Sequence, residues 1–504
     1  MSAEARQRLR EARPGDAQSA LEAASAAFDA GLEAEALPVL EAALRVHGGD
    51  PRLWQMAGLA HRALEDLAPA VEAFRRAAAL APADALIAHG HARARLEAGL
   101  PAVEAFEQAR ALAPLDGAVL LGRAAAQVAA GRGDEAEAGL EAELRRHPGW
   151  VEGHATLSRL RWMAGDRHDH GRSFEAALAV RPTDGNLWKG LLDLLAGAEM
   201  YASVPATAAR ARAAAGRAPL FDLHEAAAAS ETGDLAAADR LFAALGPPRA
   251  LDHLVHRVRH ALRSGRPEEA LSLAEPVAPH VGGGLWPYLS IAWRLTGDPR
   301  WAWLEGDSRL VGVYDIADRL PPLQALAERL RGLHFAAQQP LDQSVRGGTQ
   351  TDGPLFARVE PEIRALRRAV VEAVAEHVAQ LPPRIEGHPL LSAPRGAPVR
   401  FSGSWSVRLA GGGRHSNHLH PLGWISSALY VSLPAPAARG APPAGWLTLG
   451  EPQESLRTGL GPLRTVEPRP GRLVLFPSTM WHGTVPFGEG ERLTVAFDVA
   501  PPRS

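Results

Sequence analysis

The chain of 504 residues contains no cysteine, which removes disulfides, thiolate metal sites and cysteine nucleophiles together. Lysine is nearly absent too: Lys189 is the only one, so the basic side chains are arginines. No stretch approaches the ~20 apolar residues that a membrane-spanning helix needs, and residues 1–15 are charged, without the apolar segment of a secretory leader. A surplus of charge of one sign is also missing. Formal net charge is -3, so no basic field exists to draw in nucleic acid or an acidic lipid surface. These absences predict a cytoplasmic protein that binds neither nucleic acid nor membrane, with residues 1–15 disordered.

What the chain has in plenty is alanine set in a helical repeat. Pro51, Pro82, Pro114, Pro148 and Pro182 recur at intervals of 31, 32, 34 and 34, near the 34-residue period of tetratricopeptide repeats. Trp54, Gly58, Ala70, Phe74 and Ala77 fall at the offsets where that repeat places aromatics and small residues, and Phe106 with Ala109, then Phe174 with Ala177, repeat the ending. Gly and Ala let paired helices approach closely, aromatics fill the gaps, and Pro stops the second helix. Residues 16–297 are therefore predicted to form eight or nine stacked helix pairs, whose groove is suited to a protein or peptide partner.

The pattern changes at residue 298. Leu310–Tyr314 reads as a strand, Leu323–Leu333 as a short helix, and Ile363, Leu366, Val370, Val374 and Val378 form the apolar stripe of a helix opened by Pro361. Residues 298–397 are read as the lead-in to a β-rich core at 398–504, whose strands start at Val399, Ile425, Trp446, Arg472 and Arg492. Within it, His418 and His420 stand at i and i+2, on one face of an extended segment about 6.6 to 6.8 Å apart. His482 follows the buried-strand pattern Arg472–Phe476 and can meet the same point. Arg492, Thr494, Ala496 and Asp498 share one face of the last strand. A guanidinium inside a barrel needs an anion, because an unpaired buried charge is very costly.

These residues carry a resemblance. The segments His418-Leu419-His420-Pro421, Tyr430-Val431, Leu475-Phe476-Pro477-Ser478 followed by His482, and Arg492 ten residues later resemble the Fe(II)/2-oxoglutarate-dependent dioxygenase superfamily. Leu333-His334 with Gln343–Thr351 resembles the start of that domain, so the likeness covers roughly residues 300–504. The resemblance implies a double-stranded β-helix in which His418, His420 and His482 hold Fe(II). It further implies that Arg492 and Thr494 hold the distal carboxylate of 2-oxoglutarate, with Tyr430 adding a hydroxyl. Molecular oxygen would be the co-reactant and hydroxylation of a C–H bond the reaction. The superfamily's usual third ligand is a carboxylate; here it is His420. Gln343, Arg346, Gln350 and Trp405 are candidates for the substrate entrance, although Gln343–Thr351 also reads as a simple turn.

The expected fold class is α + β multidomain: an all-α tetratricopeptide-like solenoid, then a double-stranded β-helix (jelly-roll) domain with flanking helices. Two other readings stay open. Gly412 followed by His418 and His420 resembles a first cupin motif, although Trp424 and Ile425 stand where that motif has its Glu. The barrel could also serve an interaction scaffold without turnover. His415 is the competing metal ligand, with the poor ligand Asn417 as its i+2 neighbour.

Overall fold

The computed structural model describes residues 2–341 and 343–502. The chain divides into two compact units, one of residues up to Leu140 with Asp352–Arg367, the other of Glu141–Thr351 with Arg368–Pro502. Among the described residues no helix is long and apolar enough to cross a membrane.

Helices follow one another up to Thr296. Their punctuation is set by aspartates more than by prolines. Asp16, Asp50, Asp84, Asp116 and Asp184 each stand just before a helix and accept backbone N–H groups of its first turn, as Asp84 does from Leu86 at 2.9 Å and Ile87 at 3.1 Å. A carboxylate there satisfies donors that have no partner within the helix and meets the positive end of its dipole. These caps are spaced 34, 34 and 32 residues apart, then 68 across two pairs, with Trp150 in the intervening place and making no side-chain cap. Pro51 is out of step with the other prolines because it occupies the first turn of helix Pro51–Ala63, whereas Pro82 and Pro182 lie in turns that precede a helix. The interval of 31 is thus no true repeat length.

Close packing of small residues on aromatics holds the pairs. A Cβ at Gly58 would stand 2.8 Å from the Phe74 ring, and one at Gly190 would stand 2.6 Å from the Phe174 ring. The first helix of each pair ends in a left-handed residue. It is glycine at Gly31, Gly99, Gly131, Gly165, Gly233, Gly265 and Gly297, but Glu65 (φ 58°) and Glu199 (φ 57°) fill the same place. A side chain in that conformation costs about 1–2 kcal/mol. Both carboxylates reach arginines: Glu65 pairs with Arg367 at 3.1 Å in the first unit, and Glu199 pairs with Arg346 in the second. Residues 2–11, expected to be disordered, instead form helix Ser2–Glu11. Leu9 packs onto the first helix pair, and Arg6 pairs with Glu35 at 3.0 Å.

Among the described residues the C-terminal part contains nine strands: β1 (Gly312–Asp315), β2 (Val345–Gln350), β3 (Phe401–His415), β4 (Ile425–Ser432), β5 (Leu447–Leu449), β6 (Arg464–Val466), β7 (Arg472–Pro477), β8 (His482–Thr484) and β9 (Arg492–Val499). They form an antiparallel six-stranded sheet in the order β1-β7-β4-β9-β3-β2 and a three-stranded sheet in the order β6-β5-β8. Tyr430, Val474 and Phe476 of the larger sheet meet Leu447, Leu449 and Val466 of the smaller one in a shared core. This is a double-stranded β-helix with flanking helices Leu323–Arg331 and Pro361–Gln380. Gln343–Thr351 is no turn: most of it is β2, paired with β3 through a bulge at Arg346–Gly348.

The last helices share a core with barrel loops. Leu289, Ile291 and Trp293 of helix Trp286–Thr296 cluster with Leu456 and Trp481. Trp481 donates its ring N–H to the Pro287 carbonyl at 3.2 Å and meets Tyr288 edge-on at 5.7 Å. Beside them Glu231 binds Arg259 at 2.8 Å and Arg263 at 2.6 Å, and Arg259 reaches Gln453 of the barrel at 3.0 Å.

Candidate metal centre

The site is built on a backbone bridge. His418 and His482 exchange two N–H···O bonds of 2.9 Å, and His420 N–H donates to the Ser478 carbonyl at 3.1 Å. Directly opposed residues of an antiparallel pair project to the same face, and this fixes why the H-x-H segment and His482 converge. Ring centroids are 4.1 Å apart for His418 and His482, and 4.9 Å for each of the other two pairs. One nitrogen of each ring lies within 4.8 Å of the others, close enough for a common ion.

In each ring the Nδ1 atom is already engaged. His418 Nδ1 donates to the Ser416 carbonyl at 2.8 Å, His482 Nδ1 to the Met480 carbonyl at 3.0 Å, and His420 Nδ1 faces Asp498 Oδ1 at 2.7 Å. Acceptors at Nδ1 fix the tautomer that leaves the Nε2 lone pair for a metal, and they raise its basicity. Burial, and then the neighbouring imidazoles, hold His418 and His482 well below the usual histidine range. Both are therefore neutral, as ligands must be. Asp498 is no fourth donor, since it touches the far nitrogen of His420. Its negative charge reaches a bound metal only through that ring. Ser426 Oγ donates to Asp498 at 2.6 Å and Ser478 Oγ at 2.9 Å completes the chain.

The other expected residues divide. Arg492 and Tyr430 are buried together, the guanidinium 4.9 Å above the phenol ring. Arg492 donates to the Gly445 carbonyl at 3.0 Å, while its Nε and the proton of the Tyr430 hydroxyl beside it have no acceptor. Burial pulls Arg492 down and pushes the Tyr430 hydroxyl up, and the cation partly opposes the latter. Two buried donors without an acceptor suit an incoming carboxylate. Thr494 stands opposite Tyr430 in register, its hydroxyl 3.5 Å from the Val407 carbonyl. Trp405 meets His420 edge-on at 5.5 Å. Gln350 pairs with Val407, which stands opposite Thr494 in the neighbouring strand. His415 stacks beside His418 at 5.8 Å but stays outside the triad; burial pushes it down to about 3.

A cavity of about 390 Å³ opens onto His418. It is lined by Gln343, Ser344 and Arg346 from the start of β2 and its approach, and by Trp162, Arg167, Glu199 and Tyr201 from the helical part. Ser344, missed in the sequence, bridges His415 Nδ1 at 3.0 Å and His418 Nε2 at 3.1 Å and ties the start of β2 to the cluster. Asp498 was legible as a member of the Arg492 face, yet nothing in the sequence assigned it to His420.

Residues 403–498 match the model of a family described as "Putative 2OG-Fe(II) oxygenase". No curated protein matches the chain. Among solved structures, a prolyl-4-hydroxylase of Pseudomonas putida is 19% identical with a TM-score of 0.27, covering 39% of this chain and 95% of its own. A tetratricopeptide repeat protein from Parabacteroides merdae is 17% identical with a TM-score of 0.30, covering 51% and 97%. YrrB, a TPR protein with an unusual peptide-binding site, is 16% identical with a TM-score of 0.29, covering 35% and 92%. The chain is a tetratricopeptide-like helical array followed by a domain that resembles the 2OG-Fe(II) oxygenases over residues 403–498.

Proposed function

We propose that the protein is an Fe(II)- and 2-oxoglutarate-dependent dioxygenase that hydroxylates a C–H bond of a protein or peptide received beside the helical array. The observation that carries this reading is the convergence of three imidazoles with every Nδ1 occupied, together with the unmatched buried donors of Arg492 and Tyr430. His418, His420 and His482 would hold Fe(II) through Nε2. Arg492, with Tyr430 and Thr494 beside it, would neutralise the distal carboxylate of 2-oxoglutarate. Bound iron, 2-oxoglutarate and O2 together supply the oxidising chemistry: the substrate C–H becomes C–OH while 2-oxoglutarate becomes succinate and CO2. The chain's own part is to fix ligand geometry, keep an open coordination position and bury the reacting centre.

Anaerobic titration with Fe(II) and 2-oxoglutarate, followed by its visible charge-transfer band, tests this. The band is expected for the native chain and absent for His420→Ala. Arg492→Ala should weaken 2-oxoglutarate binding by about 30-fold or more, the loss of a buried charge pair; an unchanged affinity sinks the assignment. No metal uptake and no succinate on admitting oxygen would favour a scaffold without turnover.

A further inference from the structure

Glu199 shares its conformation with Glu65 among the described helix pairs, and of the two it is the one that lines the cavity. It adopts a left-handed backbone at a place where most helix pairs use glycine, and its exposed carboxylate pairs with Arg346 at the cavity that opens onto His418. Arg346 is aimed independently of this partner, because its Nη1 donates to the carbonyls of Gln343 at 2.7 Å and Val345 at 3.0 Å. Removing Glu199 would leave the guanidinium's direction set. Arg167 is a second cation lining the cavity, engaged with the Gln338 amide at 2.7 Å and the face of Trp162 at 5.3 Å. The described charged groups lining the cavity are thus two arginines against one glutamate.

The polar lining has a direction as well. The side-chain oxygen of Gln339 accepts from Gly347 N–H at 3.2 Å, and that of Gln453 accepts from Arg259 at 3.0 Å. Their amide NH2 groups are left as donors, the complement of peptide carbonyls. We infer that Arg346 is the anchor for a carboxylate side chain of a peptide substrate, and that Glu199 holds its place until the substrate's own carboxylate displaces it. Exposure of the Glu199 carboxylate serves this exchange, since a solvent-screened stand-in keeps the anchor ordered and yields to a better-placed anion. That the peptide is a substrate rests on the oxygenase reading above; that it is acidic rests on Arg346, Arg167 and Glu199 alone.

The test uses the full chain with Fe(II) and 2-oxoglutarate under argon. Two rhodamine-labelled hexapeptide pools, identical except for glutamate or glutamine at one fixed position, are titrated by fluorescence anisotropy. The glutamate pool should bind about 10-fold tighter. Arg346→Gln should bring the ratio near one, Arg346→Lys should leave it intermediate because the charge stays and the fork is lost, and Glu199→Gln should tighten the glutamate pool several-fold. Thermal melts of the variants exclude unfolding as the cause. Equal or absent binding of both pools, or a ratio that survives Arg346→Gln, overturns the inference. Succinate is then measured in the same samples after oxygen is admitted. A charge preference without succinate removes the oxygenase reading and leaves the anchor; succinate without a preference does the reverse.

Discussion

The proline-punctuated helix pairs and the last helices before the barrel solve the same packing problem differently. Between Pro51 and Gly197, glycines abut phenylalanines, so Gly58 fits Phe74 and Gly190 fits Phe174. Each such contact joins neighbours in sequence. Between Leu251 and Thr296, the core is made of Trp286, Leu289 and Trp293, its far side is closed by Leu456 and Trp481, and charges such as Arg259 and Arg263 are sunk beside it. A helix that packs on its own repeat keeps the repeat's pattern, while one that packs on a foreign surface is shaped by that surface. The later repeats lose their signature where barrel loops replace the next helix pair.

The largest effect should come from the foreign contact. Trp481→Ala removes a buried indole from that shared core and should lower stability by about 3–5 kcal/mol in urea unfolding. It should weaken Fe(II) uptake as well, because His482 is its neighbour. A change below about 1 kcal/mol would mean that the barrel and the last helices are not one cooperative core. Next in size is a pH effect. Glu305, accepting from Ser290 at 2.6 Å, is pushed up to about 7 by burial, from 4.5 in an open chain. Below pH 4.5 it is protonated folded or unfolded and carries no penalty. As pH rises to about 7 the unfolded chain gives up the proton first, so stability falls by at most about 3 kcal/mol. Urea midpoints at pH 5 and pH 8 should differ for the native chain and draw together in Glu305→Gln; equal slopes in both would remove Glu305 as the cause. The smallest effect belongs to the regular pairs. Gly190→Ala drives a methyl into Phe174 and should cost about 1–3 kcal/mol with Fe(II) affinity unchanged, and a loss of iron would mean that the regular pairs and the metal centre are coupled.

Much of this was legible in the residues. Proline spacing and the Gly, Phe and Ala offsets located the helix pairs, although the steadier marker, the capping aspartates from Asp16 to Asp184, went unread because a cap is defined by what its side chain accepts. A strand-like run located β4, a continuous apolar run located β7, and period two put Arg492 and Asp498 on one face of β9. Three imidazoles were legible as a set because His418 and His420 are neighbours and His482 follows a strand. Their supports were not, since Ser344, Ser416 and Met480 act through long-range pairing or through backbone carbonyls that any residue type can supply. The partners of Arg346 were equally hidden: its carboxylate lies 147 positions away in sequence.

Trp481 carries a practical consequence. Its indole is lodged against Pro287 and Tyr288 while the next residue, His482, forms the bridge to His418. An excised barrel starting at residue 298 would present that indole to water, with His482 hinged on it. Recombinant forms meant to bind iron should retain the helices from Leu251 onward.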